Sequence, residues 1–402
     1  GEKLGLPQLP DSEFLPPMEM YCVEKEVRKR IEKEFPGRTM TIGRVANLSK
    51  PTQVQINNGR AACQYRNKCA LGCPFGAYFS TQSCTLPPAV KTGLLTLRPE
   101  SVVTNLIYDE NKKKATGVRI IDAVTMEEKI YNAGLIFVCG SALGSTAVLL
   151  NSTSNRFPNG FGNDSGELGH NLMDHHFRTG ASGTWEGDAD KYYFGRRANG
   201  IYVPRYRNIG NDKRDYLRGF GYQGGGSRAS WQRNVAELSF GADFKEELTK
   251  PGPWSMGLGG FGETLPYHEN RMYLDPKEKD KWGMPLVVFD AELKENEKKM
   301  RVDMANDAAE MLEKAGVKNV RSYDRGSWLG MAIHEMGTAR MGRDPKTSVL
   351  NGNNQVHACK NVFVTDGACM VSASCVNPSL TYMALTARAA DFAVKEKKKG
   401  NI

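Results

Sequence analysis

The last quarter of this 402-residue chain constrains it most. There, His334-Glu335-Met336-Gly337-Thr338-Ala339-Arg340-Met341-Gly342 is followed by Asn361-Val362-Phe363-Val364-Thr365-Asp366-Gly367, and then by Asn377-Pro378-Ser379-Leu380-Thr381. A histidine before a Gly-rich turn, a strand ending in Asp-Gly and a capped helix fall within fewer than fifty residues. That layout suits a site where a base and a hydrogen-bonding amide meet at one face of a redox cofactor. Histidine serves as a base because its pKa lies near neutrality. Asn377-Pro378 reads as N-cap and N1 of a helix carrying Leu380, Met383, Ala384 and Ala387. The partial positive charge of that helix end would steady an anion in front of it.

The rest of the chain reads as mixed α/β. Gly134-Leu135-Ile136-Phe137-Val138 is a fully apolar strand that stops at Cys139-Gly140-Ser141-Ala142-Leu143-Gly144-Ser145, and Thr146 to Leu150 begins a helix. The small residues let backbone approach a cofactor closely. Before it, Ser101 to Tyr108, Ala115 to Ala123 and Glu127 to Tyr131 read as an antiparallel meander. Val23, Val27 and Ile31 recur every four positions and predict a helix over Tyr21 to Phe35. A long helix is predicted from Glu295 to Ala315, with Met300, Met304, Ala308 and Met311 on one face and Gly316 as its stop. Residues 151 to 175 read as loop, and 176 to 290 as an antiparallel, substrate-facing sheet. Gly257-Leu258-Gly259-Gly260-Phe261-Gly262 matches the dinucleotide fingerprint as a string. Glu263-Thr264-Leu265-Pro266 follows where a helix should open, so the stretch reads as a Gly-rich strand or turn.

The length suffices for two domains. The net charge of +9 comes from Lys and Arg scattered among acids, with no basic stripe of interleaved aromatics, which argues against a nucleic-acid partner. A basic surface could attract an acidic electron-transfer partner. No apolar run reaches the roughly 18 residues of a membrane span. The opening Gly1-Glu2-Lys3-Leu4-Gly5-Leu6-Pro7 has neither Met nor an apolar signal region and reads like the interior of a longer protein.

Nine cysteines are too few, and odd in number, for a disulfide scaffold. Cys139, Cys369 and Cys375 read as buried thiols. Cys63-x5-Cys69-x3-Cys73-Pro74 stands apart. Its three thiolates could hold an iron–sulfur cluster, or the stretch is a plain cofactor-proximal loop. Zinc, a third reading, lacks an obvious fourth ligand. Asp174-His175-His176 looks like a metal pair, but neighbouring residues point in different directions, and the segment reads as structural.

Taken in order, these residues resemble the glucose–methanol–choline (GMC) family of flavin oxidoreductases. The C-terminal signature comprises His334 to Gly342, Asp366-Gly367 and Asn377 to Thr381. Gly140 to Ser145 with Leu149-Leu150, Gly166-Glu167-Leu168-Gly169-His170-Asn171-Leu172-Met173-Asp174-His175 and Asp280-Lys281-Trp282-Gly283-Met284-Pro285 resemble internal family segments. The resemblance implies a two-domain fold: a discontinuous FAD-binding Rossmann-like domain over 63–172 and 336–402, and an antiparallel-sheet substrate domain over 1–62 and 173–335. The family's N-terminal βαβ with its glycine fingerprint is missing, so the FAD domain is expected to be incomplete.

The resemblance also implies roles. His334 would be the catalytic base and Asn377 the second catalytic position. Gly140, Ser141, Asp366, Gly367, Asn377, Pro378 and Ser379 would line FAD, and Val103 would meet the adenine through its backbone. Asn377 before Pro378 favours the sugar-oxidising branches. Cys63 to Ser80 most resembles bacterial glucoside 3-dehydrogenases and gluconate-dehydrogenase-like subunits, in which a similar cysteine triple accompanies a 3Fe–4S cluster. The implied activity is hydride transfer from a secondary hydroxyl of a sugar or glycoside, at C3 to give a 3-keto-sugar, to flavin N5. Electrons would pass to a cytochrome c or another acceptor, with a small partner subunit. A periplasmic or membrane-associated location is expected over a cytoplasmic one. The alternatives are an alcohol oxidase using oxygen and a non-catalytic fragment or subunit unable to hold FAD.

Overall fold

The computed structural model describes residues 15–66, 69–191, 200–229 and 240–402. The chain's opening, Asn67-Lys68 of the cysteine stretch, and 192–199 and 230–239 of the expected substrate sheet lie outside the described residues. In chain order the elements are α1 (Cys22–Glu34), β1 (Thr41–Ile42), α2 (Gln53–Asn57), α3 (Leu86–Lys91), β2 (Ser101–Asp109), β3 (Lys114–Asp122), β4 (Glu128–Asn132), β5 (Ile136–Val138), α4 (Ser141–Asn151), β6 (His175–Trp185) and β7 (Ile201–Val203). There follow β8 (Phe220–Arg228), α5 (Ala242–Thr249), β9 (Trp254–Glu263), β10 (Arg271–Lys279), β11 (Pro285–Asp290), α6 (Glu295–Lys314), β12 (Lys318–Asp324), β13 (Val362–Val364) and α7 (Ser379–Lys398). Where the cysteine stretch was expected to be loop, short helical turns form at Cys69–Leu71 and Thr81–Thr85.

The chain divides into two compact units, each assembled from three stretches. The first holds Gly1–Leu97, Arg178–Phe261 and Lys299–Gly326; the second holds Arg98–Phe177, Gly262–Lys298 and Ser327–Ile402. This packing puts 63–97 in the first unit and 262–298 in the second. A division by packing is not the same quantity as the cofactor and substrate division expected from the sequence, and the two differ over these stretches.

In the first unit a six-stranded sheet runs in the order β1-β7-β8-β9-β6-β12. Its core joins Val23, Val27 and Ile31 of α1 to Met300, Met304, Ala308 and Met311 of α6, all fully buried, so both predicted periodicities mark core faces. Gly316 ends α6 in the left-handed region at φ +85°. Arg38 and Arg207 meet the buried Asp307 of α6 at 2.9 and 2.7 Å, which satisfies a carboxylate that would otherwise be costly to bury. The fingerprint-like glycines lie inside β9, as the reading of a Gly-rich strand expects. A Cβ on Gly260 would lie 2.0 Å from Met304 Sδ, so the glycine lets α6 settle onto the strand.

In the second unit β2, β3 and β4 form the expected antiparallel meander. β5 pairs with β13 in parallel, Ile136 opposite Val362 and Val138 opposite Val364. The unbroken apolar run of β5 follows from cover on both faces. Ile136 and Val138 enter the core with Leu149 of α4, while Phe137 stacks on Phe363 at 4.8 Å and packs with Ala389 and Ala393 of α7.

Several boundaries and exposures differ from expectation. α4 begins at Ser141 rather than Thr146, so Gly140 is its cap. α7 begins at Ser379 with Pro378 as its cap, which puts Asn377 one residue outside rather than at the N-cap. A proline has no N–H to orphan there. α7 buries the small Ala389 and Ala393, and Leu380 and Met383 of the expected apolar stripe are 70% and 44% exposed. Cys139 is exposed rather than buried, while Cys369 and Cys375 are buried. Among the described residues no helix is long and apolar enough to cross a membrane.

Candidate active site

Asp174 organises the candidate site, which lies within the second unit. Its fully buried carboxylate accepts hydrogen bonds from four backbone N–H groups: His175 at 2.7 Å, Gly330 at 2.9 Å, Ala332 at 3.0 Å and His334 at 3.2 Å. Burial pushes the Asp174 pKa up, against the pull of those donors. Beside it Met173 and Met336 exchange both backbone bonds at 2.9 Å. The chain thereby holds Ile333 in the left-handed region at φ +56°, a strained setting for a β-branched residue, with its side chain 81% exposed.

His334 emerges from this clamp, and its two ring nitrogens face different partners. Nδ1 lies 2.9 Å from His175 Nδ1, and Nε2 lies 3.4 Å from the Asn377 amide nitrogen. On the far side His175 Nε2 is 3.1 Å from the Ala373 carbonyl oxygen. Burial pushes the His334 pKa below that of an ordinary histidine; nearby His175 acts the same way and Asp174 opposes it. His175 is also held low, chiefly by burial. Burial thus favours the neutral form of both rings, in which His334 can accept a proton beside an amide able to hold an oxygen. Glu335 is half-buried, and burial raises its pKa.

The expected cofactor-lining residues form a second group. Gly140 and Ser141 sit exposed at the start of α4, with Ser141 at φ +67°. Ser145 Oγ accepts from Gly140 N at 2.8 Å and donates to the Asp366 carboxylate, which ties the turn to the end of β13. Asp366 also accepts from Ala368 N at 3.0 Å, and burial raises its pKa. Its side chain is thus committed inward. Gly367 has a packing reason, because a Cβ there would lie 2.2 Å from the Glu335 carbonyl oxygen, on the segment that carries His334. Pro378 is buried and Ser379 exposed at the start of α7. Val103 lies on β2, opposite Ile120 and next to a register shift.

The cysteine loop belongs to the first unit. Cys63 and Cys69 sulfurs each lie 3.8 Å from the Asn47 amide nitrogen. Burial tends to raise the Cys73 thiol, but the backbone N–H groups of Tyr78, Phe75, Ala77 and Gly76 outweigh it and hold the thiol below its usual pKa. Among the described residues, no three His, Cys, Asp or Glu side chains gather closely enough to hold a metal ion.

The structure therefore brings His334 and Asn377 together, and joins Asp366 to the Gly140-Ser141 turn. The reading of Asp174-His175 as structural missed their place against His334. The only signal was a polar pair at the end of a loop, and the pairing partner lies 159 positions on.

Two family models described as GMC oxidoreductase match the chain, over residues 2–177 and 266–386. The chain is 30% identical to the 2-methyl-1,2-propanediol dehydrogenase of Mycolicibacterium austroafricanum over 346 residues, which is 80% of this chain and 58% of that protein. It is 25% identical to the fructose dehydrogenase large subunit of Gluconobacter japonicus, across 85% of this chain and 61% of that one. With the paromamine 6'-oxidase of Streptomyces fradiae it shares 27% identity over 85% of this chain and 61% of that protein. The chain thus spans about three fifths of the length of these curated relatives. Among solved structures, pyridoxine 4-oxidase from Mesorbium loti aligns with a TM-score of 0.58 at 16% identity, covering 96% of this chain and 71% of that one, a likeness of fold. With both family models matched in order along the sequence, the chain belongs to the GMC oxidoreductase family.

Proposed function

We propose that this protein is an FAD-dependent dehydrogenase that oxidises a hydroxyl-bearing carbon of a sugar or glycoside, with His334 as base. The observation that carries the proposal is the position of His334 Nε2, 3.4 Å from the Asn377 amide nitrogen, on an imidazole that burial biases toward its neutral form. FAD is implied by the family, and the residues present fit part of it. Neither α4 nor α7 has an acidic residue in its first turn, so both helix N-termini can face anionic groups. Gly140 and Ser141 would serve the phosphates, and Ser379 with Asn377 the ring edge. FAD, when bound, supplies the acceptor for the hydride.

The chain's own residues handle the proton and the oxygen. His334 Nε2 takes the hydroxyl proton as the carbon–oxygen bond becomes a carbonyl. The Asn377 amide donates to that oxygen and fixes its position. The Asp174 clamp keeps the imidazole aimed while this happens. The relatives named for fructose and paromamine support a sugar or aminoglycoside hydroxyl as substrate. We extend the proposal to oxidation at C3, to a small partner subunit with a cytochrome-type acceptor, and to a periplasmic or membrane-associated location. The relative named as a large subunit supports the partner.

The proposal extends to a 3Fe–4S cluster on Cys63, Cys69 and Cys73, of which the Cys63 and Cys69 sulfurs each lie 3.8 Å from the Asn47 amide nitrogen, and no step is routed through it. In the full-length protein His334→Ala should lower kcat by about 10²–10⁴-fold with flavin content unchanged. Wild-type turnover in that variant would sink the assignment. Steady peroxide release in air would move the reading to an oxidase, as the paromamine oxidase relative suggests.

A further inference from the structure

The chemistry of the proposed base depends on which of its nitrogens carries the proton. A neutral imidazole has one N–H and one lone pair, and Nε2, the nitrogen that faces Asn377, can take a proton only if the lone pair lies there. A side chain that dictates the tautomer therefore decides whether His334 can act at all.

The partners around His175 fix its own tautomer first. Its Nε2 lies 3.1 Å from the Ala373 carbonyl oxygen. A carbonyl can only accept, so His175 Nε2 must carry the hydrogen. Because buried His175 is neutral, its Nδ1 then presents a lone pair, and that lone pair points at His334 Nδ1 from 2.9 Å. Two lone pairs cannot face each other at that distance, so His334 Nδ1 must carry a hydrogen. The lone pair of His334 is left on Nε2.

We infer that His175 is a positioning residue that sets the His334 tautomer, relaying the fixed orientation of the Ala373 carbonyl through two imidazoles to the reactive nitrogen. The inference rests on the reading of His334 as base. Protons balance along the relay: when Nε2 takes the substrate proton, His334 Nδ1–H still donates to His175 Nδ1. No proton leaves the pair, and His175 accepts before and after. The charged groups facing the two rings are Asp174 and Glu263, with Glu335 next to His334 in the chain. The Asp174 carboxylate is occupied by backbone N–H groups, and the Ser372 hydroxyl donates to Glu263 at 2.5 Å. Beside the Ala373 carbonyl, the Ser374 backbone also hydrogen-bonds the His175 ring.

Leucine and asparagine have nearly the same shape, and both lose the bond to the Ala373 carbonyl. Only asparagine can offer an oxygen near the position of His175 Nδ1. The comparison of His175→Leu with His175→Asn in the full-length protein therefore separates the relay from simple packing. With nitrogen-15-labelled histidine, and His334→Ala to assign the signals, wild type should show His334 protonated at Nδ1. His175→Leu should shift His334 toward the Nε2–H form and lower kcat by about 10²-fold or more with KM little changed, whereas His175→Asn should stay within about tenfold of wild type. An unchanged Nδ1–H tautomer in His175→Leu would overturn the inference, whether kcat is retained or falls equally in both variants. Turnover retained by His334→Ala would remove the base assignment alone. The tautomer measurement would still judge the relay.

Discussion

At the scale of single residues, the proposed chemistry depends on keeping an imidazole neutral. Burial lowers the His334 pKa from an ordinary value of about 6.5, so the unprotonated base persists to lower pH than a free histidine would allow. The active form is the neutral one, and acid removes it. The profile of kcat/KM should therefore stay level down through neutrality and bend only below about pH 6.5. An acid limb centred at or above pH 7 would contradict this, and steady-state rates from pH 5 to 9 would show it. His334 and Asn377 were legible in the sequence because each sits in a short motif of unusual residues. Asp174 and His175 were not legible as site residues, because their meaning depends on a register between remote segments. Burial likewise depends on tertiary packing, so no local pattern revealed the lowered pKa values.

At the scale of elements, the long periodic segments were the most readable. Val23, Val27 and Ile31, and the methionine face of α6, became buried faces because a helical stripe can be hidden only against a partner. The ends of α4 and α7 were less readable: capping by Gly140 and Pro378 turns on a residue or two of backbone geometry. The glycine string in β9 illustrates the limit. Its context excluded a nucleotide loop, yet the positive reason for Gly260 lies in Met304, on another element. Gly260→Ala should destabilise the fold by about 1–3 kcal/mol, through the collision of the added methyl group with Met304. Pairing it with Met304→Ala should cost less than the sum of the two single changes, since the second makes room for the first. Denaturant midpoints of the four proteins measure this, and strict additivity would count against the close approach.

At the scale of the whole molecule, each unit is woven from three stretches, so its boundaries could not be read from composition alone. Redox content is likewise a property of the whole protein. Iron and labile-sulfide analysis of the full-length form tests the proposed cluster on Cys63, Cys69 and Cys73, and a protein with full flavin and no iron would remove it. Iron present in wild type and lost in Cys69→Ser with flavin unchanged would support the cluster, and with it an onward path for electrons. The Asp174 clamp also bears on how the protein is made. Asp174 and the Gly330 amide it holds are 156 positions apart, so the base cannot be aimed until the last third of the chain has been synthesised and has closed onto a segment made much earlier. Contacts of such high sequence separation are expected to form late in folding. Appearance of the oriented histidine thus reports the completion of folding, and a nascent or half-folded chain would have no assembled acid–base centre.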